Sequence, residues 1–298
     1  MMSRGYTIER AEKHHFSVFQ AIYADADIEL WYDWKLRLND TTWTDNCFWV
    51  LLDGRKVGGA ILEGDSVIWP FLVAPFEDRV FFWKAILHHM AAQTGGPVRL
   101  IGMLDRDMDV LLSFGCRIVS MRRMMCRPTE PFDVAPPQGY ERRTASREDI
   151  PALVQVDHEG YAGGIIRELF GEEDKEQLAK DIAEVFRIYE ETGTTEQFSI
   201  VYAKGSTDIV GFCQAGAMAY RRNDALDDFS SIGSITVLPA HRNKGLAEYM
   251  LKHALNEAHK TSKAMRLAVT VGNNAESLYR RLGFVPGPRF TNMVYKKG

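Results

Sequence analysis

The chain has 298 residues, 46% of them hydrophobic, and carries a formal net charge of −4 at pH 7. This length favours two domains, and the apolar content suffices for buried cores. The acidic balance argues against nucleic acid or an anionic membrane as a partner, and no apolar run reaches the ~20 residues that span a bilayer.

Cysteines and histidines show neither disulfide nor metal-ligand spacing. The histidines are expected to be surface or half-buried residues rather than metal ligands. The N-terminal residues lack the apolar segment of a signal peptide. We therefore expect a soluble, cytoplasmic protein without a metal, whose thiols are reduced and mostly buried, namely Cys47, Cys116, Cys126 and Cys213.

The first half of the chain alternates strand and helix patterns. Asp53-Gly54 between two apolar runs is a strong hairpin signal. The predicted elements are strand Tyr6–Arg10, a helix to residue 23, a helix at 27–40, strands Phe48–Leu52, Val57–Leu62 and Val67–Val73, helix Arg79–Gln93, and strands Val98–Met103 and Gly115–Cys126.

A proline-rich segment follows, and it predicts a linker at 131–137. The predicted domains are therefore 1–130 and 138–298. Short echoes in the same order indicate two copies of one fold. They pair Gly5-Tyr6 with Gly139-Tyr140, Val57-Gly58 with Val210-Gly211, Val73 and Pro75 with Val237 and Pro239, and Phe114-Gly115 with Leu282-Gly283.

The segment around Gly245 predicts an anion-binding turn between a strand and a helix. The strand ends at Val237, because Pro239 has no N–H for a sheet ladder. An apolar stripe with helical spacing begins at Leu246. The residues from Arg242 to Gly245 thus precede a helix N-terminus, where unpaired backbone N–H groups can hold a diphosphate.

Two motifs in this half resemble those of the GNAT superfamily of acyl-CoA-dependent N-acetyltransferases. Arg242-Asn243-Lys244-Gly245-Leu246-Ala247 is similar to R/Q-x-x-G-x-G/A, and residues 273–284, NNAESLYRRLGF, are similar to N-x-x-A-x-x-L-Y-x-x-x-G-F. The resemblance covers about 138–298. It implies an α/β fold of two tandem GNAT-like domains, each a mixed, mostly antiparallel sheet flanked by helices.

The resemblance also implies acetyl-CoA as co-substrate. Backbone N–H groups from Asn243 to Ala247 would bind the pyrophosphate, and the strand backbone would pair with the pantetheine amides. The cofactor-binding residues so implied are Ile235, Thr236, Val237, Arg242, Asn243, Lys244, Gly245, Leu246, Ala247 and Asn273. For Asn273 the alternative is a helix cap, for which Asn274 competes.

Tyr279 corresponds to the tyrosine that protonates the departing thiolate in the family, and its alternative is packing in the core. Because Leu278 and Leu282 cover the apolar face of the helix, we expect Tyr279 to point elsewhere. The strand before the loop lacks the carboxylate that many family members use as general base. The open candidates are Asp157, His158, Glu159, Asp227, Asp228 and a water held by Ser234.

The first copy differs where the chemistry would occur. Phe81 stands opposite Gly245, Asp78 opposite Arg242 and Leu111 opposite Tyr279, so this copy is expected to have lost its acyl-CoA site. We expect the second copy to transfer acetyl to a primary amine of a small molecule by direct attack in a ternary complex. The acidic stretch 157–191 hints at a cationic acceptor. The alternatives are an acyl-CoA sensor or scaffold, or a protein N-acetyltransferase.

Overall fold

The chain forms two compact units. The computed structural model describes residues 5–23, 44–162, 174–217 and 229–296, so the helix predicted at 27–40 lies outside the described residues. The first unit comprises Met1–Arg123 with Pro288–Gly298, and the second comprises Met124–Gly287. The chain therefore passes from the first unit to the second and returns with its last strand.

The first unit is a mixed sheet between two groups of helices. Its strand order is β1-β2-β3-β4-β5-β12, where β4 and β5 run parallel and the other pairs are antiparallel. The elements are β1 (Tyr6–Arg10), α1 (Lys13–Tyr23), β2 (Cys47–Leu52), β3 (Arg55–Glu63), β4 (Ser66–Leu72), α2 (Arg79–Thr94), β5 (Val98–Leu104), α3 (Asp105–Ser113) and most of β12 (Val285–Tyr295).

Each face of this sheet buries its own apolar cluster. Helix α2 contributes Phe82 and Trp83 to one cluster, and α1 contributes Phe16 to the other, where it meets Trp49 and Phe71. The predicted hairpin between β2 and β3 is confirmed. Its turn residues Asp53 and Gly54 have φ of 50° and 76°, as a type I′ turn requires.

The second unit repeats this plan. Its strand order is β6-β11-β10-β9-β8-β7, with β10 and β11 parallel and the pairs from β7 to β10 antiparallel. The elements are the end of β6 (Arg117–Pro128), from Met124 onward, then β7 (Tyr140–Thr144), α4 (Ile150–Tyr161), α5 (Lys175–Thr192), β8 (Ser199–Ala203), β9 (Ile209–Ala217), β10 (Phe229–Val237), α6 (Leu246–Ala258), β11 (Ala264–Thr270) and α7 (Ala275–Arg281).

Both units join a pair of parallel strands through one helix. In the first unit α2 connects β4 to β5, and in the second α6 connects β10 to β11. Short echoes of sequence in the same order predicted two copies of one fold, and this shared plan confirms them.

The compact units divide the chain differently from the predicted domains. Residues 288–298 belong to the first unit, because the end of β12 pairs with β5, from Phe290 opposite Leu104 to Tyr295 opposite Val98. The predicted linker 131–137 lies within the second unit. There Phe132 packs against the core, and its backbone N–H and carbonyl bind the Asn256 amide at 2.6 and 2.9 Å.

All four cysteines are free thiols, and three are buried, as predicted. Burial raises the pKa of Cys213 to about 12 and that of Cys47 and Cys116 to about 11. None of the helices in the described part of the chain is both long and apolar enough to cross a membrane.

Candidate active site

The two parallel strands of the second unit, β10 and β11, are paired along only part of their length. β10 pairs with β11 only from Phe229 to Ile232, whereas it stays paired with β9 to Val237. The β10–β9 register shifts between Ile232 and Ser234, so Gly233 forms a bulge there. Bulges bend a strand, and here β10 turns away from β11. Within the described part of the chain, no strand therefore pairs with the backbone of residues 235–237 on the β11 side.

The loop after β10 delivers the chain to a helix with open amides. Pro239–His241 form a single 3₁₀ turn, and then Asn243 and Gly245 adopt left-handed backbone with φ of 61° and 77°. Gly245 suits this conformation because it lacks Cβ. The first helical bond of α6 runs from the Tyr249 N–H to the Gly245 carbonyl, at 2.9 Å. The N–H groups of residues 246–248 thus point out of the helix start.

Arg242 ties this loop to helix α4. Its guanidinium donates to the Gly160 carbonyl at the end of α4 and to the Val237 carbonyl, the latter at 3.1 Å. The Arg242 side chain is thereby engaged by backbone oxygens. Arg242 lies in the loop before α6, as predicted. Its side chain joins α4, β10 and the loop.

A hydroxyl from β7 contacts two further polar side chains of the loop, Lys244 and His241. Lys244 Nζ donates to the Tyr140 hydroxyl at 3.1 Å and lies 5.8 Å from the centre of its ring. The same hydroxyl lies 2.9 Å from His241 Nδ1. Reasoning from the sequence missed this contact role of Tyr140. The echo of Gly5-Tyr6 in Gly139-Tyr140 was the available signal.

Three side chains converge where β10 bends. Ser234 Oγ donates to Asp157 Oδ1 at 3.3 Å, and the Tyr161 hydroxyl lies 3.3 Å from Ser234 Oγ. Tyr161 also donates to the Ile235 carbonyl at 3.4 Å. Asp157 is only 5% exposed. The structure thus brings predicted Ser234 together with one of the candidate bases, Asp157, and adds Tyr161, which had no recognisable signal.

The other candidate bases are placed differently. Glu159 is exposed and accepts a hydrogen bond from Gln155 on its own helix, and His158 is half-buried. Asp227 and Asp228 lie outside the described residues.

Tyr279 is buried, contrary to the expectation that Leu278 and Leu282 would turn it away from the core. It is 6% exposed and packs edge-on against Phe284, with ring centroids 6.1 Å apart. The expectation failed because Leu278 is itself only partly buried. Burial, together with Tyr161 and Cys213, raises the pKa of Tyr279 well above its usual range, so the phenol stays protonated.

Asn273 acts as a cap of α7. Its Oδ1 accepts the Ala275 N–H at 2.9 Å, while Asn274 makes no side-chain cap bond. Of the two interpretations left open for Asn273, the contacts support the cap.

Residues 195–286 match the family of acetyltransferase (GNAT) domains. The chain carries a GNAT domain. This match lies in the second unit and contains the loop, α6 and α7. A comparison with curated proteins gave no match.

Solved GNAT structures share the fold along nearly the whole chain. A GCN5-related N-acetyltransferase from Sphaerobacter thermophilus aligns with a TM-score of 0.70 at 16% identity, over 98% of this chain and 95% of that one. A GNAT-family acetyltransferase from Colwellia psychrerythraea gives 0.58 at 13%, over 98% and 100%. A tandem GNAT protein from the clavulanic acid biosynthesis pathway gives 0.54 at 12%, over 99% of each chain. The predicted fold of two tandem GNAT-like domains is confirmed.

In the first GNAT-like domain, an aspartate carboxylate occupies the equivalent helix start, which is the N-terminus of α2. The Asp78 carboxylate accepts the Phe81 N–H at 2.9 Å and caps α2. Phe81 packs edge-on against Tyr6 and Phe76, with ring centroids 6.1 and 5.8 Å apart. Leu111, opposite Tyr279, is fully buried. A carboxylate and three rings thus stand where the second domain presents a glycine and open amides.

Proposed function

We propose that the second domain transfers acetyl from acetyl-CoA to a primary amine of a small molecule. The GNAT fold and the family match support acyl-CoA-dependent acetyl transfer in general. The observation that carries the proposal is the parting of β10 from β11 directly before the open helix start at Gly245.

Each part of acetyl-CoA has a complementary part of this site. The amides between Asn243 and Ala247 would receive the diphosphate, because helix N-termini favour anions. The Lys244 ammonium, steadied by Tyr140, adds positive charge beside them. The side of residues 235–237 that faces no paired strand would receive the pantetheine amides as an added strand. The thioester would then lie between β10 and β11, near Tyr279.

The state of the Cys213 thiol supports direct attack by the amine in a ternary complex. Cys213 is fully buried, and burial raises its pKa to about 12, so it is a thiol rather than a nucleophilic thiolate at neutral pH. Tyr279 would protonate the CoA thiolate as the C–S bond breaks, because its phenol remains protonated.

The test has two stages. Calorimetry with acetyl-CoA is expected to show one site per chain, since Asp78 and Phe81 occupy the equivalent place in the first domain. Two equivalent sites would contradict this assignment. Release of free thiol is then measured with primary alkylamines and with a peptide that carries a lysine and a free N-terminus. Turnover with small amines supports the proposal, and turnover of the peptide alone favours a protein acceptor. Binding without turnover favours a sensor.

A further inference from the structure

Helix α4 lies directly on the bent part of β10. Gly160 marks the contact, because a Cβ at that position would overlap Thr236 Cγ2. Asp157, Gly160 and Tyr161 are spaced i, i+3 and i+4, so they share the helix face that meets the strand. Asp157 therefore reaches Ser234, and Tyr161 reaches Ser234 and Ile235.

We propose that Asp157 is the general base of the transfer reaction and that the acceptor enters as a protonated primary amine. Ser234 is the positioning residue, because its hydroxyl holds Asp157 Oδ1 at the bend of β10. The inference rests on the proposed acetyl transfer. The proposed base thus lies on helix α4. Ser234 lies on β10, the strand on which many family members carry the carboxylate base.

Burial and charge favour this assignment. A carboxylate that is 5% exposed attracts an ammonium strongly, because little water screens the pair. The Thr236 hydroxyl is also buried on this face of β10 and has no hydrogen-bond partner among the described residues. It offers the acceptor a second polar contact.

The protons balance as follows. The ammonium gives one proton to the Asp157 carboxylate, directly or through one water, and Asp157 later returns it to solvent. The nitrogen lone pair then forms the C–N bond at the thioester carbonyl. The nitrogen gives its second proton to solvent as the C–S bond breaks, and the thiolate takes a proton from Tyr279, which regains one from solvent. The products are the amide, CoA thiol and one released proton.

The test compares the full-length wild-type chain with Asp157→Asn, using the best alkylamine acceptor. We expect kcat/KM to fall ~10²–10⁴-fold, as is typical for loss of a general base. The Kd for acetyl-CoA should be unchanged by calorimetry, because Asp157 lies on α4 and is no part of the loop at Gly245 that would hold the diphosphate. Ser234→Ala should cost a smaller factor, about 10-fold, since it removes one hydrogen bond to a charged group. Glu159→Gln, on the same helix, should keep the wild-type rate.

A weakly basic amine acceptor distinguishes a general-base role of Asp157 from a structural role. A fluorinated alkylamine that is unprotonated at the assay pH needs no base for its first proton. The defect of Asp157→Asn should therefore shrink at least tenfold with this acceptor, and Asp157→Glu should restore part of the activity with ordinary amines. An equal defect with both acceptors would overturn the inference.

The remaining outcomes are also decisive. Wild-type turnover with an unaffected Asp157→Asn variant overturns this inference and leaves the proposed function intact. A wild-type chain that binds acetyl-CoA but acetylates no amine overturns both.

Discussion

At the scale of single residues, two equivalent helix starts in this chain differ in one decisive way. In the second domain α6 begins after Gly245, whose φ is 77°, and its first amides have no side-chain cap. In the first domain the Asp78 carboxylate binds the Phe81 N–H. A carboxylate at a helix start satisfies the amides that would otherwise bind phosphate. One domain is therefore open to a diphosphate and the other is closed by its own side chain.

Replacing Gly245 by Trp is expected to abolish acetyl-CoA binding, because an indole would cover the amides that face the diphosphate. The left-handed backbone adds ~1–2 kcal/mol of strain for any residue with Cβ. Gly54→Trp is the matched control, since Gly54 has φ of 76° and an open environment in the first unit. Calorimetry should show binding for Gly54→Trp and none for Gly245→Trp. Equal binding by both variants would place the diphosphate elsewhere.

Tyr279→Phe should lower turnover ~10²–10⁴-fold while leaving the Kd for acetyl-CoA nearly unchanged. The ring and its packing against Phe284 are kept, and only the proton for the leaving thiolate is lost. The defect should shrink with a thioester of a more acidic thiol. Tyr249→Phe, at another buried tyrosine of the same core, is the control and should retain the rate. Full activity of Tyr279→Phe would make Tyr279 a packing residue.

At the scale of elements, the site depends on how closely α4 lies on β10. The helix can approach because Gly160 has no side chain where it meets Thr236. Arg242 then fastens the end of α4 to the loop through the Gly160 and Val237 carbonyls. The position of Asp157 beside Ser234 is thus a consequence of one small residue and one arginine.

Gly160→Ala is expected to push α4 away from β10. Overpacking of this kind costs ~1–3 kcal/mol of stability, and the shift should separate Asp157 from Ser234. We expect a lower melting temperature together with a lower kcat. Gly96→Ala is the control, because the nearest atom to its new Cβ is 3.9 Å away. A stable and fully active Gly160→Ala variant would show that the close approach is not needed.

At the scale of the whole molecule, the first unit depends on its last strand, β12. Most of that strand follows the second unit in the sequence. The end of β12 pairs with β5 and buries Phe290 and Met293 in the first unit. Asn292 accepts the Gly102 N–H at 2.9 Å, and Arg289 pairs with Asp105 at 2.7 Å. The first unit is therefore complete only when residues 288–298 have been synthesised.

Deleting residues 288–298 should destabilise the first unit. Burial of Phe290 and Met293 alone contributes ~1.5–3 kcal/mol each, out of a typical total of ~5–15 kcal/mol. Urea denaturation followed by tryptophan fluorescence should show a lower midpoint for the transition of the first unit. Deleting only residues 296–298, which follow β12, is the control and should leave the midpoint unchanged. An unchanged midpoint in the longer deletion would mean that β12 contributes little.

The sequence by itself determined the features that depend on neighbouring residues. The Asp53-Gly54 hairpin, the helix start after Gly245 and the two GNAT motifs were predictable, because turn geometry and helix termini are set by local backbone preferences. The echoes between the halves also predicted the repeated fold, since a repeated pattern of strands and helices packs in the same way each time.

Only the tertiary structure decided which distant residues meet. Asp157 and Ser234 are 77 positions apart, and Tyr140 and Lys244 are 104 apart, so no local pattern marks either pair. The same holds for the last strand, which was assigned to the second domain from its position in the sequence and belongs largely to the first unit. Strand pairing and helix docking depend on how apolar faces are buried across the whole fold. That burial is a property of the assembled chain rather than of any one segment.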